Sequence, residues 1–133
     1  MIKKFKRYCK TIQLENDLQS LEEYKKLHAA GEAWPEISRG IKEIGIIDME
    51  IYIEGNTLFM IMDTVEEFDH EKAMTVLASL PRQAEWETTV SKYQKTSAGS
   101  SAKEKWKLIE RIYKLDQDAK YKSEGGYIEQ IKI

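Results

Sequence analysis

Two side chains in this sequence are spaced to do acid–base chemistry together. Tyr24 and His28 lie four residues apart in EEYKKLHAAGEAWPE, residues 22–36, the spacing that puts side chains on one helix face. Leu21 shares that face, so the pair is partly embedded. His28 falls near the expected helix C-terminus, where the macrodipole favours a protonated ring. That makes it a candidate general acid near neutral pH. Trp34 follows closely and offers a flat apolar wall. A Tyr and a His at this spacing also form ordinary packed pairs with satisfied polar tips, and the spacing alone leaves both readings open.

The remaining candidates carry less. Trp86 shares a helical stripe with Val90 and Tyr93, which by itself reads as core. Asp48 and Glu50 share a strand face with Tyr52, a face that is either solvent or pocket lining. His70, in FDHEK, reads as a surface residue, and Cys9 as a plain buried thiol. Lys3, Lys4, Lys6 and Arg7 read as a solvated terminus, and Lys103, Lys105 and Lys107 as the flank of a loop. There is no Gly-rich phosphate loop, no G-x-S-x-G and no metal-spaced histidine set.

The elements that must hold these residues follow from periodicity. Residues 5–14 alternate as a strand. Asp17 offers an N-cap to a helix carrying Leu18, Leu21, Tyr24 and Leu27, with Gly31 as its stop. Pro35 opens a second helix with the stripe Ile37, Ile41 and Ile44, closed by Gly45. IIDMEIYI (46–53) and TLFMIMD (57–63) form a hairpin around Glu54-Gly55-Asn56. The second of these strands is apolar on both faces and belongs inside a sheet. Residues 69–80 form a helix, Pro81 opens another through Trp86, TSAGSSA (96–102) is a flexible loop, and residues 106–115 form the last strand. The tail, 117–133, is a possible extra strand beyond a domain spanning 1–116. The order is ferredoxin-like, β-α-β-β-α-β, an α+β protomer. Its helices cover one sheet face, so the other is expected to meet a second copy in a homodimeric barrel.

Composition sets the outer limits. The chain has 133 residues, 41 % hydrophobic and 33 % charged, with a net charge of −2. That is one domain with a single core, and a charge balance that argues against a nucleic-acid partner. No apolar run approaches the ~20 residues of a membrane helix. The opening MIKKFKRYCK has Lys and Arg where a secretion signal is apolar. The single cysteine allows neither an internal disulfide nor a Cys-based zinc site, and a reducing cytoplasm is the expected setting.

RYCKTIQL, EEYKKLHAAGEAWPEI, GIIDMEIYIEGNTLFMIMD, LPRQAEWE and KLIERIYKLD follow one another in an order that resembles the L-rhamnose mutarotase family, from about Phe5 to Asp116. The most specific parts are the histidine followed by Trp34-Pro35-Glu36 and the hairpin with Ile51-Tyr52 and Asn56-Thr57-Leu58-Phe59. The resemblance implies a dimeric α+β barrel that exchanges the anomers of a 6-deoxy-hexose, a reaction whose chemistry needs no cofactor or metal. It places the family's histidine proton donor on His28, its sugar-binding tyrosine on Tyr24, and one tryptophan of its Trp-Trp pair on Trp86. Met49 and Glu85 stand where the rhamnose-type pattern has a tyrosine and the other tryptophan. DMEIY, GN-x-LFMIM and LPRQ-x-EWE resemble the L-fucose mutarotase branch.

Mutarotation needs one group to take the O1 proton and one to protonate the ring oxygen. His28 is the expected donor to the ring oxygen, with Tyr24 or a carboxylate orienting the sugar or relaying the other proton. Trp34 and Trp86 can stack on the sugar's apolar face and methyl group, and Glu85, ahead of Asp48 and Glu50, can accept hydroxyl hydrogens. The alternatives are a non-catalytic sugar- or metabolite-binding module of the same dimeric fold, a cofactor-free oxygenase, and a purely structural dimer.

Overall fold

The computed structural model describes residues 2–96, 100–115, 122–123 and 126–132. Strand β1 (Ile2–Gln13) runs through the middle of one antiparallel sheet. Strands β2 (Ile46–Glu54) and β3 (Thr57–Thr64) form the hairpin, with Gly55 at φ +61° in its turn. Strand β3 lies between β2 and β1, and β6 (Gly126–Lys132) lies on the other side of β1. The sheet order is β2-β3-β1-β6-β5, with β5 being Lys122–Ser123. This is the split arrangement, in which the first strand separates the third from the last.

Alternation along β1 decides which face is core. Tyr8, Lys10, Ile12 and Leu14 are buried. With Leu58, Met60 and Met62 of β3 they make the floor on which the helices pack. Helix α1 (Leu18–Leu27) is capped by Asp17, whose side chain accepts from Ser20 N at 2.8 Å. Helix α2 (Pro35–Glu43) starts on the fixed φ of Pro35. Helices α3 (His70–Ala78) and α4 (Gln83–Ser91) follow the hairpin, and the short α5 (Ala102–Lys105) carries the chain back to the sheet.

Several sequence expectations need correction. Residues 106–115 are not a full strand. Only β4 (Lys107–Leu108) pairs with β1, at Thr11 and Lys10, because β6 takes the same edge of β1 along residues 2–7. Beyond it, Ile112 and Leu115 are 92 % and 83 % exposed, so no apolar face is buried there. The strand that completes the sheet comes from the tail. Part of the loop expected over 96–102 lies outside the described residues, and Ala102 already belongs to α5. Pro81 does not open α4. Arg82 intervenes with a left-handed backbone (φ 64°).

Four side-chain expectations also change. His70 is buried against Tyr8 and Phe68, and burial pushes its pKa down to about 4. Cys9 is half-buried on the face away from the helices. Lys105 is buried rather than at a loop flank. Lys6 and Arg7 are tied into the sheet: Lys6 Nζ donates to Phe68 O at 2.7 Å, and Arg7 pairs with Asp63 at 2.8 Å.

Gly45, between α2 and β2, sits at φ +102°, and a Cβ there would lie 3.1 Å from Val65 Cγ2 and 3.4 Å from Phe68 Cδ1. Gly45→Ala therefore combines backbone strain with a clash. It is expected to cost on the order of 1–3 kcal/mol, read as a lower urea midpoint. An unchanged midpoint would show that this junction is not constrained.

Candidate active site

Between the sheet and the helices lies a cavity of about 170 Å³. A cavity of roughly 150 Å³ can hold one six-membered ring, so a single pyranose is a fitting occupant. Its floor is apolar, made by Met49 and Ile51 of β2 and Met60 and Met62 of β3. Its walls are Tyr24 and His28 from the end of α1, Trp34 from the start of α2, and Gln83, Trp86 and Glu87 from α4. Strand β1 contributes Lys10, and Gln94 and Trp106 close it further along the chain.

The aromatic groups interlock. The His28 ring stacks on Tyr24 at 4.4 Å between centroids and meets Trp86 edge-on at 5.3 Å. Trp86 in turn meets Trp34 at 5.1 Å. The Arg82 guanidinium covers the Trp34 ring at 4.1 Å, a cation–π contact that helps hold this wall together. Arg82 also pairs with Glu85 at 2.9 Å and Glu36 at 3.5 Å. These three contacts account for a residue that carries a backbone conformation unfavourable to any side chain.

His28 is the C-cap of α1 and lies at the cavity mouth, with part of its surface open to solvent. Its Nδ1 is 2.9 Å from the Tyr24 carbonyl oxygen. A carbonyl only accepts, so Nδ1 carries the hydrogen, and Nε2 of the neutral ring keeps its lone pair. Desolvation between the flanking rings pushes the pKa below its ordinary value, against the opposing pull of that hydrogen bond. The ring therefore rests neutral at pH 7. This corrects the expectation of a protonated ring: local desolvation outweighs the helix dipole, which acts on an end already satisfied by backbone bonds to Lys25 and Lys26.

Behind the aromatic wall runs a buried polar chain. Lys105 Nζ donates to Glu87 Oε1 at 2.8 Å, to the Glu87 carbonyl at 3.0 Å and to Gln94 Oε1 at 2.9 Å. Gln83 Nε2 donates to the other Glu87 oxygen at 2.7 Å. Lys105 can only donate, so it fixes the Gln94 amide with its oxygen inward. The Gln94 Nε2 then faces the Tyr24 hydroxyl, at 3.5 Å. Tyr24 oxygen receives that long contact, leaving its own O–H free to turn to an acceptor in the cavity. Burial pushes the Tyr24 pKa far up, so the hydroxyl stays protonated.

Comparison with known proteins matches the chain to one family. A family model for L-rhamnose mutarotase matches residues 7–115. The chain belongs to the L-rhamnose mutarotase family. It is 32 % identical over 111 residues to an L-fucose mutarotase of Xanthomonas campestris, covering 84 % of this chain and 89 % of that protein. The crystal structure of an L-rhamnose mutarotase from Formosa agariphila superposes with a TM-score of 0.62 at 18 % identity, over 83 % of this chain and 98 % of that one. That likeness concerns the fold. Membership of the mutarotase family makes this chain an isomerase.

Of the site residues expected from sequence, Tyr24, His28, Trp34, Met49 and Trp86 all line the one cavity. Glu85 does not. Its side chain is 59 % exposed and held by Arg82 on the outside of α4. Asp48 and Glu50 are likewise exposed, on the strand face opposite Met49 and Ile51, so neither can reach an occupant. The acidic group at this mutarotase cavity is Glu87, two residues beyond Glu85 and therefore on another side of the helix. Sequence reasoning gave no site role to Lys10, Gln83, Glu87, Gln94 or Lys105. The available signal was Lys10 on the Tyr8–Ile12–Leu14 face of β1, the face that proves to be core. Among the described residues, no group of His, Cys, Asp and Glu is placed to hold a metal ion, and no helix is long and apolar enough to cross a membrane.

Lys105 is fully buried and Glu87 nearly so, at 0 % and 12 % side-chain exposure. Lys105→Met strands the Glu87 carboxylate and is expected to cost about 3–5 kcal/mol in urea denaturation. Lys105→Met with Glu87→Gln removes both charges and should recover most of that loss. A single variant within about 1 kcal/mol of wild type would contradict the pairing.

Proposed function

We propose that this protein interconverts the α and β anomers of a 6-deoxy-hexose, L-fucose or L-rhamnose, by acid–base ring opening and closure at His28. The observation that carries the reading is a histidine whose Nδ1 lies 2.9 Å from a backbone carbonyl, at the mouth of a ring-sized cavity walled by two tryptophans. Tryptophan faces suit the C–H face and methyl group of a deoxy sugar. The L-fucose mutarotase of Xanthomonas campestris supports L-fucose as the first substrate to test.

In this mechanism the His28 Nε2 lone pair takes the O1 proton as the C1–O5 bond breaks, and the resulting imidazolium delivers that proton to O5. The product is the open-chain aldehyde. Rotation about C1–C2 turns the carbonyl over. O5 then attacks the other face of C1, giving its proton back to Nε2, which returns it to O1. Tyr24 donates a hydrogen bond to a sugar oxygen and fixes the pose. Anomerisation proceeds unaided, so the ~10²–10⁴-fold of general acid–base assistance is sufficient.

A second copy of the chain is proposed to cover the open sheet face. Tyr52 and Phe59 are paired across β2 and β3 and stand 53 % and 39 % exposed. The groove beside them mixes Cys9, Ile61, Ile109 and Tyr127 with the charged Arg7, Glu110, Arg111, Lys114 and Glu129. The mutarotase-like domain is proposed to span residues 1–116, with β6 of the tail added to it as an extra strand on β1.

The test is anomer exchange of L-fucose and L-rhamnose, followed by the NMR lines of their anomeric protons. Added protein should speed exchange, and His28→Ala should reduce it to the spontaneous rate. Sugar binding without faster exchange would identify a binding module instead. Because the His28 pKa lies below its ordinary value of 6.5, protonation removes the Nε2 lone pair only at lower pH. Activity should hold across neutral pH and fall on acidification, with a midpoint below 6.5. Sedimentation should give a dimer at micromolar concentration, and a monomer would exclude the covering copy.

A further inference from the structure

Lys10 is the unexplained group of this cavity. It sits mid-strand in β1 and is 2 % exposed. Its strand neighbours are apolar, Met60 on one side and Leu108 on the other, and Tyr8 and Ile12 flank it on its own face. The other well-buried lysine, Lys105, has a carboxylate and an amide as acceptors. Lys10 makes no hydrogen bond or ion pair among the described residues. Burial pushes its pKa down to about 8, and the buried His70 ring lies within its electrostatic reach. An ammonium group in such a place is costly. A methionine or leucine would fill the same space at lower cost, and the strand is surrounded by methionines.

Lys10 also lines the same cavity as Tyr24, His28 and Trp86. Glu87 is already engaged by Lys105 and Gln83, so it does not supply the missing acceptor. His28 carries the proton transfer in the proposed mechanism. An occupant can supply acceptors to Lys10, and a pyranose brings several hydroxyl oxygens.

We propose that Lys10 is a sugar-binding residue, whose ammonium donates to hydroxyl oxygen of the bound pyranose and so selects among sugars that differ in hydroxyl arrangement. This rests on the mutarotase reading of the cavity. It adds a polar anchor at the floor, opposite the aromatic stacking at the mouth. The anchor holds the ring in one orientation, with its anomeric end left to His28.

The test is Lys10→Met, with two readouts that a structural role would move together. Without sugar, thermal unfolding of the variant should shift to higher temperature, because an uncompensated buried charge has been removed. Affinity for L-fucose, titrated through tryptophan fluorescence, should fall about ten- to a hundredfold, as for loss of a hydrogen bond from a charged donor. With the monodeoxy analogues of L-fucose, the gap between wild type and variant should narrow for at least one, the analogue lacking the contacted hydroxyl. Unchanged affinity overturns the proposal. So does a fall in unfolding temperature together with affinity, which would assign Lys10 to structure. So does an equal gap on every analogue. Anomer exchange by wild type is measured separately: its absence would sink the mutarotase reading, while the binding titration still judges Lys10.

Discussion

The hydrogen bond from His28 Nδ1 to the Tyr24 carbonyl, 2.9 Å, sets the chemistry of the whole site. It ties a titratable ring to the last turn of the helix that carries it. It selects the tautomer whose Nε2 accepts, and it stacks the ring on Tyr24, its neighbour four residues back. The rest of the architecture serves that placement. The Asp17 cap fixes where α1 begins, the Pro35 start of α2 brings Trp34 alongside, and α4 supplies Trp86 as the other flank. The Lys105–Gln94 chain orients the Tyr24 hydroxyl from behind. Burial keeps Tyr24 protonated, and desolvation by its ring neighbours pushes the His28 pKa down.

What was legible in the sequence was local. The i, i+4 spacing of Tyr24 and His28, the Asp17 cap, the Pro35 start, the Ile37–Ile41–Ile44 stripe and the Gly55 turn depend on residues within one or two helical turns. Quoted motifs extended this to Trp86 and Met49 through the family resemblance. The polar network was not legible, because its partners lie 11, 18 and 70 residues apart. A lysine in a basic, loop-like stretch gives no sign that it is buried until a carboxylate from α4 is placed beside it. Glu85 was misjudged for the same reason: neighbouring acidic residues on a helix look alike in sequence, and only the packing of α4 turns Glu87 inward and leaves Glu85 with Arg82.

The last strand shows how a single edge governs topology. Residues 106–115 are apolar enough to read as a strand, and β1 has only one free edge beyond β3. Strand β6 pairs with β1 through residues 2–7, leaving Lys10 and Thr11 for β4. The tail therefore enters the sheet, and the stretch before it runs along the surface, where Arg111 reaches Glu129 and packs over Tyr127. The sheet face there is the one opposite the helices, so events at the tail are separated from the cavity by the sheet itself.

The central claim is that the site rests with a neutral His28 whose Nε2 is free to accept a proton. Nitrogen-15 NMR of the histidine rings at pH 7 tests this directly, with the two histidines assigned by comparison with His28→Gln. The account predicts that His28 shows a protonated Nδ1 and an unprotonated Nε2. A charged imidazolium, or a proton on Nε2 of a neutral ring, would contradict it.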